Sequence, residues 1–181
     1  MLKKKNIIAS LVVAILALIQ LGLLTKFIYT YENLAKNGTV YKFALMPVDP
    51  YDAFRGRYLS LRFKDIAKPN ESQTSYNETI YVELTADENG FAKIISVGKA
   101  PDAMKSQNYV RATDRYSSVV WPFTRFYLQD EYARLTDQYL NEIINSHQVY
   151  ATIAVKNGAG RILDIYVDDI PIIEFLKTNY Q

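Results

Sequence analysis

The sequence predicts an α+β protein: an N-terminal transmembrane helix followed by a sheet-rich domain, a twisted sheet or partly open barrel, with one main amphipathic helix. Three observations carry this. The chain opens on a long apolar stretch. Period-two runs separated by Gly, Asn and Pro turn signals fill most of the rest, and one stretch changes to the three-and-four spacing of a helix. With 181 residues, 49% of them hydrophobic, there is material for one core plus an appendage.

Ile7 to Leu24 is 18 residues without a formal charge, and Phe27, Ile28 and Tyr29 extend it past Lys26. A bilayer core needs roughly 17–25 helical residues, and an aromatic cluster suits its boundary. Lys3, Lys4 and Lys5 place the N-terminus in the cytoplasm and the rest of the chain on the other side. Thr25 to Tyr31 offers no small-residue cleavage site, so the segment reads as a retained anchor rather than a removed signal. The expected division is 1–6 cytoplasmic tail, 7–29 anchor, 30–38 stalk and 39–181 extracytoplasmic domain.

Four of the 21 basic residues precede Tyr31, leaving 17 against all 19 acidic ones. The domain is therefore near neutral and carries no basic footprint for nucleic acid. With no cysteine in the chain, disulfides, thiol catalysis and thiolate metal sites are excluded.

Val40 to Leu45 is the first expected strand. Asn77–Thr85 and Phe91–Val97 flank Asn89-Gly90, a hairpin signal because both residues tolerate positive φ. Tyr109–Ala112 and Val119–Leu128 continue the pattern, with Pro122 marking an edge or bulge. From Asp130, read as an N-cap, Tyr132, Leu135, Thr136, Tyr139, Leu140, Ile143 and Ile144 recur at helical spacing to about Asn145. Gln148–Val155 and Arg161–Val167 form a second hairpin across Asn157-Gly158. Ile170–Tyr180 fits a short helix or a strand.

The densest candidate site is the corner from Pro47 to Phe63. Pro47 and Pro50 stiffen it, and Asp49, Asp52, Arg55, Gly56 and Arg57 lead into Tyr58, where apolar alternation through Leu59, Leu61 and Phe63 starts a strand. The aspartates suit turn capping. Arg55-Gly56-Arg57 suits an anion or a partner carboxylate. His147, the single histidine, follows the helix and suits charge compensation at its C-terminus. Trp121, Phe123 and Arg125 share one face in simple alternation, with Phe126 on the other. Neither a nucleophile elbow nor a phosphate loop occurs, and no metal or cofactor is expected.

Arg55-Gly56-Arg57-Tyr58-Leu59-Ser60-Leu61-Arg62-Phe63 resembles the signature of the GDYXXLXY-domain family of bacterial membrane-anchored proteins, Arg-Gly-Asp-Tyr-x-x-Leu-x-Tyr after a Pro-x-Asp-Pro corner. Arg57 stands at the acidic position, removing any carboxylate role there, and Phe63 replaces the final tyrosine. Arg125 to Ala133 looks like the family's aromatic strand entering an acidic helix start. The resemblance implies an extracytoplasmic domain without an assigned activity, often encoded with multi-pass membrane proteins. Membrane-anchored signal peptidases are similar in a Met-Pro corner, here Met46-Pro47, but their serine position is Leu45.

The resulting expectation is a periplasmic or extracellular, non-catalytic binding module for another envelope membrane protein, using Asp49, Asp52, Arg55, Gly56, Arg57 and Tyr58. The alternative is a membrane-surface hydrolase or ligand-processing enzyme with Asp49, Asp52, Arg55 and Arg57 in a cleft.

Overall fold

A computed structural model describes residues 2–47, 58–69, 76–115 and 118–180. Helix α1 (Leu2–Asn37) runs without interruption through both the expected anchor and the expected stalk. From Leu11 to Glu32 every side chain is exposed, and the helix is long and apolar enough to cross a membrane. None of the described residues covers this stretch, and an apolar helix is unfavourable in water. The stalk is thus helical. Its Leu34 is buried, and the Gly38 N–H donates to Leu34 O at 2.9 Å.

The domain is built from two four-stranded antiparallel sheets and a short ribbon. In the first, β1 (Thr39–Ala44) pairs with β8 (Val149–Lys156), then β9 (Ala159–Val167) and β10 (Ile170–Pro171). In the second, β4 (Ala92–Gly98) pairs with β3 (Thr79–Ala86), then β5 (Tyr109–Arg115) and β6 (Ser118–Val120). β2 (Tyr58–Ser60) and β7 (Arg125–Tyr127) form the ribbon. Bridges from Lys42 to Phe91 and from Val110 to Gly158 join the two large sheets, which curl into the expected partly open barrel.

Both Asn-Gly hairpins form, by different turns. Asn157 and Gly158 take φ of 49° and 84°, the two-residue turn whose twist matches the strands. At the other, Gly90 alone turns left-handed, at 84°. Asn89 stays out of that region because the Asp87 carboxylate accepts from the N–H groups of Asn89 and Phe91, which makes a longer loop.

Helix α2 (Asp130–Ser146) packs the expected stripe inward, with Tyr132, Thr136, Leu140 and Ile143 buried. Its N-cap is Gln129 rather than Asp130. Asp130 and Glu131 occupy the first turn instead, where the positive end of the helix dipole favours carboxylates. Helix α3 (Ile172–Asn179) resolves the choice left at the C-terminal end, burying Ile172, Phe175 and Leu176.

The simple alternation expected over Trp121 to Phe126 is broken. Trp121 and Phe123 point into the core, and Arg125 and Tyr127 point out. Pro122 separates β6 from β7, which belong to different sheets, so the inward phase shifts from odd to even positions between them. Phe43 and Phe123 each contact the other and both Phe63 and Trp121, with ring centroids 5.2–5.8 Å apart. Aromatic pairs at this spacing add to what their burial contributes.

Candidate functional site

The strand that leaves the motif is held on both sides. Tyr58, Leu59 and Ser60 pair with Tyr127, Phe126 and Arg125, and the Leu61 N–H donates to Thr124 O. Farther on, Phe63 bridges Leu45, the Met46 N–H donates to Arg62 O, and the Lys64 N–H donates to Ala44 O. Residues 58–64 therefore fill the space between β7 and the end of β1. Leu59, Leu61 and Phe63 are buried and Arg62 is exposed, as the alternation predicts. Leu45 is a core residue at 2% exposure. Asp49, Asp52, Arg55, Gly56 and Arg57 lie outside the described residues, so of the predicted site only Tyr58 can be placed.

Tyr58 sits on the outer face of the ribbon. Its ring lies 5.8 Å from that of Tyr127, and the Arg125 guanidinium stands 4.9 Å from the Tyr58 ring centroid. Tyr127 is 66% exposed. Two tyrosines and an arginine presented together have the composition of interface hot spots. Arg125 and Tyr127 also line a groove of about 680 Å³ whose other walls include Phe123, Arg161 and Tyr31. Its floor depends on Gly160, where a Cβ would fall 2.5 Å from the Phe123 ring.

Tyr31 brings the end of α1 into the same groove. Arg161 donates from Nη1 to Tyr31 O at 3.0 Å and lies 3.6 Å from the Glu32 carboxylate. The motif strand, the helix and β9 thus meet on one face. The separation of 130 positions between Tyr31 and Arg161 hides this meeting from any local reading of the sequence.

A second polar constellation lies at the β9–β10 turn and was not singled out from the sequence. Asp168 and Asp169 take positive φ, 48° and 66°, and each carboxylate has specific partners. Asp168 accepts from the Gln148 N–H at 2.9 Å and meets His147 Nδ1 at 2.6 Å. Asp169 accepts from the Tyr150 hydroxyl at 2.5 Å and pairs with Lys42 Nζ at 3.3 Å. The His147 hydrogen bond, then the Gln148 amide, hold the Asp168 carboxyl below its ordinary range. The bonds from Tyr150 and then Lys42 do the same for Asp169.

Burial pulls the Lys42 ammonium downward, but its bonds to Tyr150 and Asp169 outweigh that and hold it above its usual value. The same ammonium lies 4.5 Å from the Tyr150 ring centroid. These contacts are mutually satisfied and tie the turn to β1 and β8. His147 is the C-cap of α2 and joins the helix end to the turn through Asp168. The adjacent pair Asp168-Asp169 was the available sequence signal, but only folding brings it to His147, 21 residues earlier in the chain.

No group of three His, Asp or Glu side chains among the described residues is placed to hold a metal ion. The cleft required by the enzyme alternative would involve residues 49–57, which are outside the described ones.

A family model described as GDYXXLXY protein matches residues 20–165. No curated protein matches the chain. No solved structure matches it either.

Proposed function

Because the chain belongs to the GDYXXLXY family, we propose that it is a single-pass, N-in membrane protein whose extracytoplasmic domain is a non-catalytic binding module for another envelope membrane protein, one of multi-pass type. The observation that supports this best is the exposed Tyr58–Arg125–Tyr127 cluster on the face where α1 enters the domain. A short tether restricts that face to partners in or beside the same membrane, and raises their effective concentration.

Among the described residues Arg125 has no carboxylate partner, so part of its five-donor fork is open to an acidic side chain on the partner. Asp49, Asp52, Arg55, Gly56 and Arg57, which come before Tyr58 in the sequence, are included among the proposed binding residues.

The test is co-purification of full-length protein from membranes after Arg55→Ala and Arg57→Ala are introduced together, and separately after Tyr127→Ala. Loss of the same membrane partner in both supports the reading, and an unchanged partner profile rejects it. Sidedness is checked by a reporter fused after Gln181, which is expected to be active outside the cytoplasm. Activity inside would overturn the N-in arrangement.

A further inference from the structure

We propose that the groove between α1 and the β7–β9 face holds the phosphodiester headgroup of an anionic phospholipid, drawn from the leaflet that the domain faces. The inference rests on α1 crossing the membrane and does not depend on the protein partner proposed above.

Position is the first argument. An apolar stretch of residues 7–29 spans about 34 Å as a helix, slightly more than the hydrocarbon core of about 30 Å. Tyr31 follows two residues later, about 3 Å beyond that stretch. The headgroup layer on each side is about 5–7 Å deep, so a wall formed by Tyr31 stands at phosphate level. Tyr31 stacks against Phe27 at 4.5 Å, continuing the aromatic boundary of the span. Contacts of Arg161 with Tyr31 and Glu32, and burial of Leu34, fix the sheet close to this level.

Chemistry is the second. The groove is lined by two arginines, Arg125 and Arg161, together with Tyr127 and Phe123. Arg161 uses one N–H on Tyr31 O and lies 3.6 Å from the Glu32 carboxylate, so its remaining donors, rather than an unpaired charge, are what it offers. A guanidinium has five such donors in a planar fork that matches phosphate oxygens. Arg125 lines the groove, makes no ion pair among the described residues and stands over the Tyr58 ring. Two cations and an aromatic rim at the water–lipid boundary suit one phosphodiester with its glycerol end toward the membrane. A choline headgroup would bring its own cation against the arginines, so anionic lipids are preferred.

The test uses the full chain extracted from membranes in mild detergent, with native mass spectrometry counting lipids retained from micelles doped with phosphatidylglycerol or with phosphatidylcholine. Wild type is expected to retain phosphatidylglycerol preferentially. Arg125→Gln, which leaves the helix contacts intact, is expected to lower retention about tenfold with an unchanged melting temperature, and Arg161→Gln to lower it as well. Inorganic phosphate is expected not to displace the lipid, because it lacks the acyl chains that the membrane holds. Equal retention of the two lipids, unchanged retention in Arg125→Gln, or full displacement by inorganic phosphate would overturn the proposal. Release of the chain from membranes by alkaline extraction would instead overturn the spanning helix on which it rests.

Discussion

The Nδ1 atom of His147 lies 2.6 Å from Oδ2 of Asp168, joining the last residue of one helix boundary to a turn 21 residues farther along the chain. Asp168 stands at φ 48°, a region that a non-glycine residue enters at a cost, and Asp169 follows at 66°. Both are retained because each carboxylate has partners that only this backbone geometry brings within reach. Asp168 holds His147 and the Gln148 amide, while Asp169 holds Tyr150 and Lys42.

A pH dependence follows from the direction of the Asp168 shift. A carboxyl held below its ordinary value of 3.8 binds protons less readily folded than unfolded. The stabilisation is complete above that value and is lost as pH falls through the lower, folded value. Asp168→Asn is therefore expected to melt at a lower temperature than wild type at neutral pH. The difference should shrink as the solution is acidified past the ordinary aspartate range. Calorimetry across a pH series reads this, and a constant difference at all pH values would show that the carboxylate charge is not what matters.

The motif divides into a buried half and an exposed half, and substitutions should separate them. Phe63, 7% exposed, contacts Phe43 and Phe123, so Phe63→Ala is expected to cost about 3–5 kcal/mol in a denaturant melt. Tyr58→Phe removes a hydroxyl from a half-exposed ring and is expected to change stability by less than about 0.5 kcal/mol. If the Tyr58 change proved as costly as the Phe63 change, the exposed half would be structural and the proposed interaction face would lose its anchor.

How much the sequence could show depends on how local each determinant is. Asn157 and Gly158 sit side by side and both adopt the positive φ their chemistry permits, so that hairpin was readable without the fold. The β9–β10 turn was not, because Asp-Asp has little intrinsic preference for two left-handed residues. It is held by Lys42, which is 127 residues from Asp169. Alternation through Leu59, Leu61 and Phe63 named the buried face correctly, since one apolar face is a property of the strand itself. The same rule failed at Trp121 to Phe126, where the chain passes from one sheet to another at Pro122. Of the expected site, Tyr58 alone was placed. The groove beside it was illegible because Tyr31, Arg125 and Arg161 come together only through tertiary contacts.

Gly158 tests the turn that joins the two sheets. Its φ of 84° strains any L side chain, and a Cβ there would lie 3.2 Å from the Tyr109 ring. Gly158 also bridges Val110, and its N–H and C=O bond to Tyr109 and Arg111. Gly158→Ala is expected to cost more than about 1 kcal/mol and to raise amide exchange in both β5 and the β8–β9 turn. Faster exchange in the hairpin alone would indicate that the two sheets are held together elsewhere.

The coupling of α1 to the sheet turns on Gly38. A Cβ at this residue would lie 2.5 Å from Leu34 O, 3.1 Å from the Ala154 Cβ and 3.2 Å from the Val155 amide nitrogen. Two of these neighbours are backbone atoms of packed elements, which cannot move aside as a flexible side chain would. The glycine lets the last turn of α1 pass directly into β1 against β8. Gly38→Ala is expected to push them apart, weaken the Leu34 packing and the Arg161 bond to Tyr31, and cost about 1–3 kcal/mol. Hydrogen exchange should then quicken at residues 33–38 and in β8, while the β3–β4 hairpin stays protected. Unchanged protection at residues 33–38 would mean that the helix is joined to the domain by Arg161 and Leu34 alone. The membrane tether would then not require a glycine at the junction.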